Sequence, residues 1–385
     1  MKFKGYLRPD NKVGIRNYLA IIPTSVCSAT VAFNIASHIP QAIALPNQHG
    51  CCQLGVDHEQ TVNTLIGLGK NPNVAAVLVV GLGCEGVPID KVAEEIASTG
   101  KPVDTIIIQE CGGTLKTTAR GIQIASKIAQ DISSIKTQEF PICELCLGVE
   151  CGGSDFTSGL ASNPAVGVAS DLLVDAGGIS ILSETTEFIG AEHILAKRAK
   201  TPELAQKILE MVKNCESRAM LLNVDIRGGQ PTPGNIKGGI SSIEEKSLGC
   251  IYKAGRSPIN GVLAYAEIPK GKGLYIMDTP GQDVESMTGM IAGGATVIVF
   301  TTGRGTPTGA PLAPVIKVTA NPETYKKMSD NIDIDASSII LGEKTIDQVG
   351  REIFEEIVAV ANGKLTKAES LGHREFGIYK IAPTF

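Results

Sequence analysis

Leu147-Gly-Val-Glu150-Cys151-Gly152-Gly153-Ser154-Asp155-Phe-Thr-Ser-Gly-Leu-Ala-Ser-Asn163-Pro164 holds a whole structural unit in eighteen residues. A short apolar run breaks off at a thiol flanked by carboxylates and a glycine pair. Paired glycines let the backbone turn sharply and let a ligand approach it closely. Asn163 then offers a helix cap and Pro164 suits a first helical position. Strand, polar Gly-rich turn and helix, in that order, is the unit from which open parallel α/β sheets are built, and ligands bind at the turn. The same order recurs about 40 residues earlier in Ile106-Ile-Ile-Gln-Glu110-Cys111-Gly112-Gly113-Thr114.

Outward from these two turns the chain keeps a βαβα rhythm. Strands are predicted at 18–22, 41–45, 74–80 and 105–108, and helices at 29–38, 59–68, 89–98 and 115–132. The strand runs are continuously apolar, as parallel strands covered on both faces should be. Residues 137–141 read as a linker. A second series follows, with strands at 145–149, 180–182, 274–277 and 296–300 and a terminal helix at 349–361. The expected fold is therefore α/β, with two doubly wound, mainly parallel sheets, in domains 1–140 and 141–385, and with the site at or between the C-terminal strand edges.

Every predicted strand runs into chemistry. The first ends in Pro23-Thr24-Ser25-Val26-Cys27-Ser28 and the second in Pro46-Asn47-Gln48-His49-Gly50-Cys51-Cys52. The third ends in Gly81-Leu82-Gly83-Cys84-Glu85-Gly86 and the fourth in Gln109-Glu110-Cys111. In the second half come Glu150-Cys151, then Ser183-Glu184-Thr185-Thr186-Glu187, Asp278-Thr279-Pro280-Gly281 and Thr301-Thr302-Gly303-Arg304-Gly305. Parallel strands put all such ends on one edge, so Cys84, Cys111, Cys151 and His49 are expected along a single rim.

Composition narrows the classes. A net charge of −5 with 19% charged residues argues against nucleic acid as the main partner. Tryptophan is absent and aromatics make up 4%, which leaves little for base stacking. Ten cysteines in 385 residues, placed after apolar runs or in Gly-rich turns, read as reduced thiols rather than a disulfide scaffold. Met-Lys-Phe-Lys-Gly-Tyr at the N-terminus lacks an apolar core of the signal-peptide kind, and no apolar stretch has membrane-spanning length. A cytoplasmic location without membrane contact is expected.

Several motifs together carry a resemblance: Gly5-Tyr-Leu-Arg8-Pro-Asp10, Gly14-Ile-Arg16-Asn17, Gly-Leu-Gly-Cys84-Glu85, the Cys151 stretch, Glu-Glu-Lys246-Ser-Leu-Gly and Phe-Thr-Thr302-Gly-Arg304-Gly-Thr. In order and over nearly the whole chain, they resemble the altronate and galactarate dehydratase family. The resemblance implies dehydration of a sugar acid to a 2-keto-3-deoxy acid, supported by a divalent metal, Fe2+ or Mn2+. Single-chain members carry a small SAF-type domain before the Gly-Tyr-x-Arg motif, whereas this chain starts almost at that motif. That layout implies the large subunit of a two-subunit enzyme with a separate small SAF-type partner, and this chain is also expected to form a homo-oligomer. The large subunit of sulfolactate sulfo-lyase shares the layout and releases sulfite instead of water. Many relatives carry a Thr-His-type start where this chain has Asn47-Gln48-His49.

Elimination from a hydroxy acid requires a base next to the carboxylate, cations for the enediolate and an acid for the leaving group. His49, in a Gly/Cys-rich turn, is the first titratable candidate, and Glu150 and Lys246 complete the catalytic set. Arg16 and Arg304 suit bidentate pairing with a carboxylate; Asn17, Lys237 and Thr302 join them as substrate-binding candidates. Cys84, Glu85, Cys111, Cys151 and Asp278 are the metal candidates, thiolates suiting iron or zinc and carboxylates manganese or magnesium. Asp155, Glu187, Glu245 and Asp283 are further carboxylates in reach. Cys143-Glu-Leu-Cys146 has its thiols three apart at the start of a strand, on opposite faces, and reads as core. The Gly-Arg-Gly turn lacks Walker spacing, so nucleotide binding has little support. A non-catalytic ligand-binding subunit is the alternative from another class, and the density of thiols and carboxylates at strand ends argues against it.

Overall fold

A computed structural model describes residues 1–221 and 223–385. The first half holds β1 (Lys2–Leu7), β2 (Val13–Gly14), β3 (Tyr18–Pro23), β4 (Ala42–Ala44), β5 (Val74–Gly81), β6 (Val103–Ile107) and β7 (Gln138–Pro141). Strands β4-β3-β5-β6 form a four-stranded parallel sheet in that spatial order. β5 is buried along its whole length, which is why it reads as an unbroken apolar run. Helices Val26–Ala36 and Thr114–Ile132 cover one face, and Val56–Lys70 and Ile89–Ala97 the other.

The second half holds β8 (Cys146–Gly152), β9 (Ile179–Leu182), β10 (Ile259–Leu263), β11 (Gly273–Met277), β12 (Val297–Thr302), β13 (Val315–Thr319) and β14 (Ile334–Asp335). They form a seven-stranded parallel sheet, in the order β10-β11-β9-β8-β12-β13-β14. The α/β class with two parallel sheets is as expected from the sequence. β10, β13 and β14 were not predicted; three consecutive half-buried positions in β10 and the short length of β14 leave weak periodic signals.

Residues expected to be a linker instead form β7, which pairs antiparallel with β1 (Phe3 opposite Phe140), while β1 also pairs with β2. A strand with exposed, charged neighbours gives no apolar alternation, and only a distant partner makes it a strand.

The two sheets share a core. Ala20, Ile22, Val77 and Val79 of the smaller sheet belong to one apolar cluster with Met287, Ile291, Ile298 and Phe300 of the larger half. Polar groups finish the seam: the Asn71 amide donates to the Ile291 and Ala295 carbonyls, and Asn73 to those of Thr296 and Leu312. The C-terminal segment then straps back across the first sheet. Its Ile381 and Ala382 amides donate to the Asp57 carboxylate at 2.6 and 2.7 Å, and Phe385 donates to the Cys52 carbonyl.

The helix after β8 departs from expectation in its start. Asp155 Oδ1 accepts from the Thr157 and Ser158 amides, capping a helical stretch that passes through a π-turn, Ser158–Ser162, before Asn163–Asp175. Asn163 is thus interior to the helix rather than its cap. Its buried side chain donates to the Gly249 carbonyl and accepts from Thr301.

Candidate active site and metal centre

β8 lies between β9 and β12, where the order of chain crossovers reverses, and such a reversal opens a crevice at the C-terminal strand ends. Register puts Val149 opposite Leu182, so Glu150 and Cys151 stand beside Ser183 and Glu184. Neighbours along a strand point to opposite faces. Glu150 accordingly meets Ser286 of helix Asp283–Ala292, and Cys151 meets Cys250 at the end of helix Ile243–Cys250.

The result is a closed polar cluster. Lys253 Nζ donates to Glu184 at 2.6 Å and to Glu187 at 2.9 Å, with all three side chains buried. The Cys151 thiol donates to Glu187 at 3.0 Å, lies 3.5 Å from Cys250 Sγ, and accepts from Ser154 at 3.6 Å. Lys246 Nζ approaches the other Glu187 oxygen at 3.4 Å. On the opposite side Glu150 Oε2 accepts from Ser183 and Ser286, while Glu150 Oε1 is buried without a partner. Glu184 holds a left-handed backbone (φ 71°), rare for a residue with a Cβ. Its amide donates to Thr279 and its carboxylate accepts from the Cys151 amide.

Two donor sets within this cluster are tight enough for one ion: Cys151–Glu187–Cys250 and Glu150–Glu184–Asp283. Four carboxylates, Glu150, Glu184, Glu187 and Asp283, face only two ammonium groups, Lys246 and Lys253. An excess of two negative charges cannot stay buried uncompensated. Burial and the neighbouring Glu184 push Glu150 far above the carboxylate range. Burial, with Glu187, pushes Glu184 up to about 8 and Asp283 up to about 6. Glu187 goes the other way: burial alone would raise it, but Lys253 and Lys246 hold it well below the usual range. The oxygen-only set with an orphaned Glu150 oxygen fits a hard divalent cation.

Beside the cluster opens a cavity of about 200 Å³. Ser154, Asp155, Ser158, Asn163, Glu245, Lys246 and Cys250 line it. Lys246 and Cys250 therefore belong both to the cavity wall and to the buried cluster.

Of the residues expected from sequence, Glu150, Cys151 and Lys246 come together here. Thr302 and Arg304 lie on the neighbouring turn: Arg304 donates its amide to the Gly153 carbonyl and its guanidinium to Gly234, and Thr302 Oγ1 accepts from Gly305. Lys237 is exposed at the end of a short helix nearby. Asp278 sits past β11, bonded to Thr185 and 3.9 Å from Arg218, and Asp283 takes the place expected for it in the donor set.

The remaining candidates lie elsewhere, so the single rim expected for Cys84, Cys111, Cys151 and His49 is two rims. Cys84, Glu85, Cys111 and His49 follow strands of the smaller sheet. Glu85 closes its own loop by accepting from Leu82, Gly83 and Thr24. The His49 ring meets the Ile378 carbonyl at 3.0 Å. Arg16, proposed as a substrate clamp, has its guanidinium committed to Glu369 at 2.7 and 2.9 Å and to the Ile15, Val360 and Lys364 carbonyls. Asn17 bridges Arg8 and the Ile132 carbonyl. Both hold the framework rather than a ligand.

Lys253 and Cys250 were missed, and Glu184 was noticed only as part of a strand end. Lys246, Cys250 and Lys253 are spaced i, i+4, i+7, which puts two cations and a thiol on one helical face. The face continues into a 3-10 turn, Ile251–Ala254, where helix periodicity alone stops being a guide.

Comparison with known proteins gives the family. Residues 5–133 match the family described as D-galactarate dehydratase/Altronate hydrolase, second domain, and residues 142–384 that described as D-galactarate/Altronate dehydratase, C-terminal. The chain is 39% identical to (2R)-sulfolactate sulfo-lyase subunit beta of Chromohalobacter salexigens, over 98% of this chain and 97% of that protein. It is 34% identical to altronate dehydratase of Bacillus subtilis, over 99% of this chain and 78% of that protein. It is 35% identical to galactarate dehydratase (L-threo-forming) of Escherichia coli, over 99% and 77%. All these relatives are lyases, and the chain belongs to the D-galactarate/altronate dehydratase family.

Proposed function

We propose that this chain is the catalytic large subunit of a metal-assisted hydro-lyase that removes water from a sugar acid to give a 2-keto-3-deoxy acid. The observation that carries the reading is the carboxylate excess around Glu150, Glu184 and Asp283, with one buried Glu150 oxygen left over. These three residues would hold the divalent ion, Fe2+ or Mn2+. Bound there, such an ion supplies a Lewis acid for substrate oxygens.

The chain's own groups do the rest. Lys246, on which burial acts to remove the proton but Glu187, Cys250, Cys151 and Glu184 together act more strongly to keep it, holds the substrate carboxylate at the cavity wall. Ser154, Ser158, Asn163 and Glu245 offer hydroxyl partners to a polyol. Cys250 meets the cavity on one side and Cys151 on the other, and Cys151 donates to Glu187. That chain of three runs from the cavity wall to a carboxylate that Lys253 and Lys246 keep ionised, and so sets a fixed negative charge behind the wall. Water is excluded because every member of the chain is buried.

Sulfite release from a sulfonated 2-hydroxy acid is the second reading. It is favoured by the match over 97% of the sulfo-lyase subunit. A substrate with both carboxylate and sulfonate calls for two cations, and Lys246 is the one cation among the described residues lining the cavity. A separate small SAF-type subunit fits both readings, since one relative is named as a subunit.

The test is a direct assay of the purified chain, alone and with its small partner, against hexonates, hexarates and sulfolactate. Keto-acid formation without sulfite supports dehydration. Sulfite release from sulfolactate with no turnover of sugar acids transfers the site to the second reading. Activity that survives Lys246→Ala and Cys250→Ala together removes this cavity as the active site.

A further inference from the structure

The smaller sheet has a rim of its own that the proposed lyase site does not use. Its strand order β4-β3-β5-β6 also reverses, beside β3, so the loops after β3 and β5 flank a second crevice. Cys27 follows β3, Cys51 and Cys52 follow β4, and Cys84 follows β5; all four thiols are exposed. Free cysteine is ordinarily among the most buried residues. The three buried thiols of this chain, Cys146, Cys151 and Cys250, all lie in the other half.

These loops are stitched to one another. The Val26 amide donates to the His49 carbonyl at 2.8 Å, and the Gly86 amide to the Gly50 carbonyl at 2.9 Å. Thr24 donates to Glu85 across the gap between the first and third loops. Each bond falls within three residues of a thiol, so Cys27, Cys51 and Cys84 are carried on segments held against one another. Glu85, tied to two amides of its own loop, fixes the Cys84 turn. Around the thiols the surface is apolar: Val26, Leu54 and Val56 are 56%, 62% and 61% exposed.

The spacing selects the ligand. One ion with metal–sulfur bonds of about 2.3 Å draws its sulfurs to within about 4 Å of one another. The donor sets that tight among the described residues are both in the other half, and no rim thiol belongs to either. Thiols on three neighbouring segments after the strands, none of them in a set that tight, suit a polynuclear group that presents one metal to each.

We propose that Cys27, Cys51 and Cys84 bind a sulfide-bridged iron cluster on this rim. Three thiolates leave part of such a cluster without a protein ligand, facing the crevice. The site is separate from the Glu150–Glu184–Asp283 set and does not depend on it.

The experiment is anaerobic purification of the full chain, reconstitution with iron and sulfide, and measurement of iron and acid-labile sulfide. Iron and sulfide are expected in comparable amounts, with visible absorption that dithionite bleaches. Cys27→Ser, Cys51→Ser and Cys84→Ser should each lose the sulfide, while Cys215→Ser and Glu150→Gln keep it. Alkylation mapped by mass spectrometry needs no variant: these three cysteines should be protected in loaded protein and labelled after the cluster is removed. Iron bound without sulfide, or equal labelling with and without the cluster, overturns the proposal. Loss of metal in Glu150→Gln with the sulfide intact would bear only on the lyase site.

Discussion

Lys253 Nζ stands 2.9 Å from Glu187 Oε2, the two side chains 0% and 3% exposed, and this ion pair sits where the two halves of the polar cluster meet. Its stability is conditional. Breaking a buried pair by removing one partner costs on the order of 3–5 kcal/mol, because the other charge stays behind. Lys253 also donates to Glu184, so its loss strands the Glu187 charge and leaves Glu184 without its donor. Lys253→Met should lower the free energy of unfolding by an amount in that range, with a matching fall in the urea midpoint, and abolish turnover. Thermal and chemical unfolding of the variant beside wild type checks the first, and a wild-type midpoint would mean that the pair contributes nothing.

Glu150→Gln separates charge crowding from metal binding. In metal-free protein the change removes one of four crowded carboxylates, so stability should hold or rise. Added Mn2+ should raise the melting temperature of wild type, since a ligand bound only to the folded form stabilises it. The same addition should leave the variant unmoved. Differential scanning fluorimetry across a metal titration reads both. An equal metal-induced shift in the two proteins would place the ion elsewhere.

Arg16 provides a test between framework and clamp. Its buried pairing with Glu369 ties the start of β3 to the C-terminal region, 353 residues away in sequence. Arg16→Ala should cost on the order of 3–5 kcal/mol of stability. The folded fraction should keep its KM for the acid substrate. A raised KM at wild-type stability would restore the clamp expected from sequence.

How far the sequence could be read follows from such cases. β5 and β8 were legible because a strand covered on both faces leaves an unbroken apolar run. The Cys151 turn was legible because strand, glycine pair and helix are local. β7 was not, since its strand character exists only through β1, over 130 residues earlier. Glu150, Cys151 and Lys246 were singled out by their places at strand ends and in a charged turn, and they stand in one buried cluster. Cys84 and His49 were assigned to the same rim by an argument that was right about edges and silent about which sheet. Arg16 misled because a Gly-flanked arginine looks the same whether its carboxylate belongs to a substrate or to Glu369.

Lys246 links cavity and cluster, so its substitution should divide between binding and chemistry. Lys246→Ala removes the proposed carboxylate partner and also one of two cations on Glu187. KM should rise by one to two orders of magnitude, roughly the 1.4–3 kcal/mol of a charge-assisted hydrogen bond. Lys246→Arg, which keeps the charge, should recover part of that loss. Steady-state kinetics of the two variants decides; a loss confined to kcat in both would make Lys246 a group acting on the reacting bonds.

A pH dependence follows from Lys101, far from both metal-binding proposals. Its ammonium is buried, donates to the Gly69 and Asn71 carbonyls, and is pushed down to about 7 by desolvation. The unfolded chain keeps the ordinary value of about 10.4. Between these values the unfolded state binds the extra proton, so stability rises with pH over that window and levels off above it. The cost of burying the charge is fully present below pH 7. From pH 7 to pH 9 the gain for this group is about 2 kcal/mol, at about 1.36 kcal/mol per unit where the proton difference is complete. Lys101→Met cannot titrate, so the stability difference between wild type and variant should move by that amount in favour of wild type. Urea unfolding of both proteins at the two pH values measures it; a difference that stays constant would mean that Lys101 keeps its proton in the folded protein.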